Sequence, residues 1–171
     1  LEVFSRVKQL TKQEKRKLLR VENPNYKTLS WEDGLKIAEQ TNSMQLKALI
    51  LVQLDGGLRP KELESLNYGH AKKDGKFIFF EIKESKTAEP RPVIMFKSAP
   101  YLNRWLDLHP TKKADDPLWV MENVKKSSLY RNNKGIVRFG YDAMRQTIRR
   151  LAERAGLKGV YLYLMRHSAI A

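Results

Sequence analysis

The sequence predicts a mainly α-helical domain with a small antiparallel β-hairpin or sheet, an α+β fold, on three observations. Apolar residues recur at helical spacing through much of the chain, as in Met144, Ile148, Leu151 and Ala155. One stretch changes period: Lys76-Phe77-Ile78-Phe79-Phe80-Glu81-Ile82-Lys83 and Pro92-Val93-Ile94-Met95-Phe96 are two runs of strand formers. Capping and breaking residues punctuate the rest.

Residues 1–27 read as a basic, partly helical lead-in carrying Lys8, Lys12, Lys15, Arg16, Lys17 and Arg20. Its charge fits either a solvated helix face or a DNA-contacting linker. Asn23-Pro24-Asn25 breaks it. Ser30 then has the chemistry of an N-cap, with Glu32 and Asp33 in the first turn of a helix reaching about Glu39. A second helix, from about Met44 to Leu54, is apolar on most sides and is expected to be buried; Asp55-Gly56-Gly57 stops it. Pro60 suits the first position of a short third helix bearing Leu63 and Leu66. The two strand runs follow, joined by the polar segment Glu84 to Arg91 as a hairpin with a longer loop. Ser98-Ala99-Pro100 opens a helix that His109-Pro110 closes. Leu118-Trp119-Val120 reads as a short strand after the turn Asp115-Asp116-Pro117, and residues 122–135 read as a polar, basic loop. A long amphipathic helix runs from about Tyr141 to Ala155, with Arg145, Arg149, Arg150 and Arg154 interleaved and Gly156 after it. A last helix begins near Tyr161.

At 171 residues the chain has the length of one ordinary domain. Lys and Arg number 33 against 19 Asp and Glu, a net charge of +14. Such a charge opposes compaction and points to a polyanionic partner, nucleic acid first and an acidic membrane surface second. No apolar run reaches the roughly 18 residues a spanning helix needs, so no spanning helix is expected, and DNA rather than a membrane is taken as the partner. The absence of cysteine removes disulfides, thiolate catalysis and cysteine-ligated zinc. His70, His109 and His167 lie far apart and show no metal-ligand spacing. No cofactor is expected. The opening Leu1-Glu2-Val3-Phe4-Ser5-Arg6 lacks signal-peptide architecture and an initiator Met. The expectation is a piece of a longer, cytoplasmic, DNA-associated protein.

Phosphoryl transfer at a DNA phosphodiester needs cationic donors for the non-bridging oxygens, an acid for the leaving oxygen and an in-line nucleophile. Arginine suits the first role, because its planar fork gives paired hydrogen bonds and keeps its proton. Lysine suits the second, because burial near other cations brings its pKa toward neutrality. Three segments supply such residues: Gly57-Leu58-Arg59-Pro60-Lys61-Glu62-Leu63 after a buried helix, Ser85-Lys86-Thr87 at the hairpin bend, and Tyr163-Leu164-Met165-Arg166-His167-Ser168 opening the last helix. In this order and on these elements they resemble the tyrosine recombinase (phage integrase) family. Its catalytic domains carry an arginine in a Gly-Leu-Arg-x-x-Glu-Leu turn, a lysine on a β-hairpin and a His-x-Leu-Arg-His segment. The resemblance spans roughly residues 28–171, read as a catalytic domain that is incomplete at its C-terminus.

The resemblance implies that Arg59 and Arg166 bind the scissile phosphate and that Lys86 is the general acid toward the leaving 5′-oxygen. Lys83 lies close enough in sequence to compete with Lys86 for that role. Glu62 is expected to orient Arg59 or anchor the fold. His167 is expected either to pack or to touch phosphate. Tyr163 stands where the family has histidine; it fits a phosphate ligand or a half-buried aromatic, and this variation resembles integrases of archaeal viruses and plasmids. The family's nucleophilic tyrosine follows the second arginine. Here Tyr26, Tyr68, Tyr101, Tyr130, Tyr141, Tyr161 and Tyr163 all precede Arg166, so none matches it and the chain is expected to be inactive alone. The implied function is site-specific DNA breakage and rejoining through a 3′-phosphotyrosyl bond, without metal, in a parent protein that is a homotetramer on DNA. The alternatives are a DNA-binding relative without the chemistry, a basic RNA-binding protein and a type IB topoisomerase.

Overall fold

The computed structural model describes residues 28–82, 91–122 and 136–171. The basic lead-in 1–27, the hairpin loop with Lys86, and most of the 122–135 segment lie outside the described residues.

Helix α1, Trp31–Ala38, begins where the sequence places it. The Ser30 hydroxyl accepts from the Asp33 amide at 3.1 Å and the Asp33 carboxylate accepts from the Ser30 amide at 3.0 Å. This reciprocal cap satisfies two of the four N–H groups a helix start leaves unpaired. Helix α2, Met44–Gly56, is the centre of the domain. Ala48, Leu49, Ile50, Leu51 and Val52 are fully buried, and α2 packs against α1, two later helices and the last strand. It ends at Gly57, whose φ of 57° is left-handed. A Cβ there would meet the Ala169 Cβ at 3.0 Å and the Arg166 carbonyl at 3.5 Å. Gly57→Ala is therefore expected to destabilise the domain by about 1–2 kcal/mol from backbone strain, before any steric cost. Urea denaturation of the two proteins checks this, and equal midpoints would refute it.

Helix α3, Pro60–Ser65, follows at once, with Leu63 and Leu66 buried. Its far end is braced by Arg138, which donates to the carbonyls of Glu64 and Leu66 at 2.7 and 2.9 Å. A cation at a helix C-terminus both fills carbonyl lone pairs and opposes the dipole.

The sheet has three antiparallel strands in the order β1-β2-β3, one more than the hairpin the sequence predicts. Strands β2, Phe77–Ile82, and β3, Arg91–Met95, match the two apolar runs, β2 one residue shorter at each end and β3 shifted by one residue toward the N-terminus. The added strand is β1, Ala71–Asp74, paired from Ala71 opposite Phe80 to Asp74 opposite Phe77. Lys72, Lys73 and Asp74 are exposed, so β1 has no alternating apolar signal; polar, lysine-bearing strands are typical of sheet edges. Ile78, Phe80, Ile82, Val93 and Met95 turn inward to the core.

Helix α4, Ala99–Leu108, ends before His109-Pro110 as expected. Leu118-Trp119-Val120 is a correction. It is buried, but the chain bends at Leu118 and Trp119, and only isolated bridges flank it, Asn67 with Pro117 and Val120 with Arg138. The Gln45 side-chain amide takes the place of a neighbouring strand, accepting from the Val120 amide at 2.6 Å and donating to its carbonyl at 2.8 Å. Helix α5, Tyr141–Arg154, buries Met144, Ile148, Leu151 and Ala152 and exposes its arginines. Gly156 after it has a φ of 79°. Helix α6, Leu162–Ile170, packs against α2. No helix among the described residues is long and apolar enough to cross a membrane.

Candidate phosphate-binding site

The end of α2, the start of α3, the start of β3 and the first turns of α6 meet at one place. Glu62 is its hub. In the first turn of α3, its carboxylate accepts from the Arg59 amide at 2.7 Å and from Arg59 Nη1 at 2.9 Å. Arg91, the first residue of β3, adds its Nη2 at 2.9 and 3.1 Å to the two oxygens. Arg166 comes from α6 and donates Nη1 to the Gly57 carbonyl.

These groups share one electrostatic field. Burial pulls the Arg166 guanidinium below its ordinary value; Arg59 and Arg91 lower it further, while Glu62 and Tyr163 act the other way. An arginine stays charged through such a shift, so the repulsion is held in the site rather than relieved by proton loss. Burial raises the Glu62 carboxyl, but the hydrogen bonds from Arg59 and Arg91 outweigh it and hold the group below its ordinary value. Three guanidiniums against one carboxylate leave a formal charge of 3 − 1 = +2. Side-chain exposure is 51% for Arg59 and 35% for Arg91 but 14% for Glu62, so the cations face solvent and the carboxylate lies beneath. This arrangement suits an oxyanion with several acceptor oxygens.

No family model matches the chain, and no curated protein matches it. Solved structures do. XerA recombinase superposes with a TM-score of 0.66 and 24% identity, over 84% of this chain and 48% of that one. XerH site-specific recombinase bound to difH substrate, a pre-cleavage complex, superposes at 0.58 with 19% identity, over 83% and 41%. XerH bound to palindromic difH substrate, a post-cleavage complex, superposes at 0.55 with 21% identity, over 86% and 42%. The chain has the tyrosine recombinase catalytic-domain fold. It spans less than half the length of each of these recombinase structures.

On this recombinase fold, three of the residues singled out in the sequence, Arg59, Glu62 and Arg166, come together. Tyr163 stands on the first turn of α6, 48% exposed and close enough to Arg166 to act on its charge. His167 follows on the same helix, partly buried. Lys86 lies outside the described residues. Two residues of the site were not singled out. Arg91 sits in a polar stretch whose partner, Glu62, is 29 residues away, so no local pattern marks it. Ser168 accepts from the Leu29 amide at 2.8 Å and donates to the Leu164 carbonyl at 2.8 Å, tying the start of the described domain to the helix of Arg166. Its place two residues after Arg166 was the available signal.

Proposed function

We propose that residues 28–171 are the catalytic domain of a site-specific DNA recombinase that breaks and rejoins strands through a 3′-phosphotyrosyl intermediate, with 1–27 as a basic linker. The observation that carries this is the cluster of Arg59, Arg91 and Arg166 around Glu62 on a recombinase fold. In this reading Arg59 and Arg166 grip the non-bridging oxygens of the scissile phosphate as charge grows on them. Glu62 and Arg91 hold Arg59 in place. Tyr163 donates a hydrogen bond from its phenol to a phosphate oxygen, and proton transfer falls to lysine. Lys86 protonates the leaving 5′-oxygen. No tyrosine follows Arg166, and no residue of this chain is assigned as nucleophile.

The partner is double-stranded DNA. XerH, of the same fold, was solved bound to its difH substrate. The parent protein is proposed to act as a homotetramer, DNA-associated in the cytoplasm, of the archaeal virus or plasmid type. The test is a nicked suicide duplex incubated with the full-length protein. A covalent protein–DNA adduct is expected. Tight duplex binding without any adduct would favour the second reading, a relative that kept the grip and lost the chemistry, to which the tyrosine at position 163 points.

The exposed face of α5 extends the basic surface. Arg145 and Arg149 line a groove of about 530 Å³ with Lys158 and Tyr161, just before α6. As phosphate contacts they make binding salt-dependent, each steepening the slope of log K against log salt by about 0.9. Arg145→Ala with Arg149→Ala is expected to flatten that slope by about 2. A titration across salt concentrations measures it, and an unchanged slope would remove this face from the DNA path.

A further inference from the structure

We infer that Gln53 is a positioning residue that sets the spacing between the two phosphate-gripping arginines; this rests on the recombinase reading above. Gln53 lies in the last turns of α2 and is fully buried, amid Leu49, Ile50, Leu51 and Val52, which are fully buried too. An apolar side chain would suit that setting, since burying an amide is costly unless it is hydrogen-bonded. Both its N–H donors are used, and both go to the candidate site. Nε2 donates to the Leu58 carbonyl at 2.8 Å and to the Leu162 carbonyl at 3.1 Å. Two carbonyl acceptors fix which end of the amide points there, because only the NH2 end can donate. The opposite atom, Oε1, is buried without a hydrogen-bond partner among the described residues. A polar group kept at that cost serves the bonds it does make.

Those two carbonyls are well placed. Leu58 precedes Arg59, and the same peptide unit presents its N–H to the Glu62 carboxylate at 2.7 Å. The Leu58–Arg59 peptide is thus held on both sides, by Gln53 at its oxygen and Glu62 at its nitrogen, which fixes the plane from which the Arg59 side chain departs. Leu162 opens α6, and in helical geometry its carbonyl is the one that faces the backbone amide of Arg166. One buried side chain therefore joins the peptide before the first arginine to the helical turn that carries the second. Arg166 reinforces the link from the other direction, through the Gly57 carbonyl.

The test uses two variants. Gln53→Met keeps length and packing but removes both donors. Gln53→Glu keeps the shape but donates only when protonated. The rate of covalent adduct formation by the full-length protein on a nicked duplex is measured at saturating DNA, with amide hydrogen exchange on the 171-residue chain as a second readout. Gln53→Met is expected to lower the rate by at least about 10-fold while duplex affinity stays within about twofold. Exchange should quicken at the Arg59 and Arg166 amides and stay as in wild type at Leu49 and Ile50. For Gln53→Glu, the rate relative to wild type should rise as pH falls, because the buried carboxyl must take up a proton to donate. A Gln53→Met rate equal to wild type overturns the proposal. So does exchange that quickens evenly along α2, which marks general loss of packing. Should Gln53→Met not fold, a Gln53→Glu ratio independent of pH overturns it. If wild type forms no adduct, the recombinase reading fails separately; unchanged exchange at Arg59 and Arg166 in the variant then overturns the positioning role.

Discussion

Arg166→Ala in the full-length protein is expected to slow covalent adduct formation by about 10²–10³-fold, or about 3–4 kcal/mol of transition-state stabilisation. In the proposed function the side chain meets charge that grows on the phosphate during attack, so its loss should fall on the chemical step. Stability should change little. The substitution removes one hydrogen bond to the Gly57 carbonyl, about 1 kcal/mol, and also removes a cation that Arg59 and Arg91 repel. Arg166→Lys should fall between the two, since an ammonium keeps the charge but not the planar fork. Single-turnover adduct rates alongside thermal melts make the comparison. An Arg166→Ala protein with wild-type rates would take the phosphate role away from this residue. An RNA-binding protein held by general charge would hardly register the change in affinity.

Glu62→Ala is expected to be the most destabilising single change in the site, by about 2–3 kcal/mol at neutral pH. The carboxylate is 14% exposed and accepts from two arginines and a backbone amide, and without it three guanidiniums face one another. The figure is held below that of a fully buried pair because Arg59 is half exposed and water screens it. Glu62→Gln should cost less, because its amide oxygen still accepts. The pH dependence has a definite sign. Against the upward push of burial, hydrogen bonds hold the Glu62 carboxyl below its ordinary value in the fold. Its contribution is therefore complete above the unfolded-state pKa, about 4.3, and is lost as pH falls through the lower folded value. Urea denaturation at a series of pH values should show wild type and Glu62→Gln differing at neutral pH and converging in acid. A constant difference across that range would show that the charge of Glu62 does not stabilise the fold.

Much of the architecture could be read locally. Ser30, Gly57 and Pro60 mark helix ends through the chemistry of their own backbone neighbourhood, and the structure has those ends there. The apolar run of α2 announced a buried helix because most of its sides were apolar. Strand β1 escaped notice because an exposed edge strand needs no apolar side. Leu118-Trp119-Val120 read as a strand because its side chains are buried, yet its backbone bonds to scattered partners, the Leu66 carbonyl, the Phe139 amide and the Gln45 side chain, a choice that side-chain pattern does not encode.

The same division holds for the site. The residue order alone placed Arg59, Glu62 and Arg166 at helix starts, because capping glycines, prolines and apolar spacing act over a few residues. Folding added Arg91 to Glu62 across 29 residues and Gln53 to Leu162 across 109. Neither pairing has a local signature. Glu62 could have met any arginine, and Gln53 bonds a carbonyl of a kind that every residue carries. Helix boundaries are settled by nearest neighbours in the chain, whereas a charge cluster and a buried amide bridge are settled by which surfaces pack together.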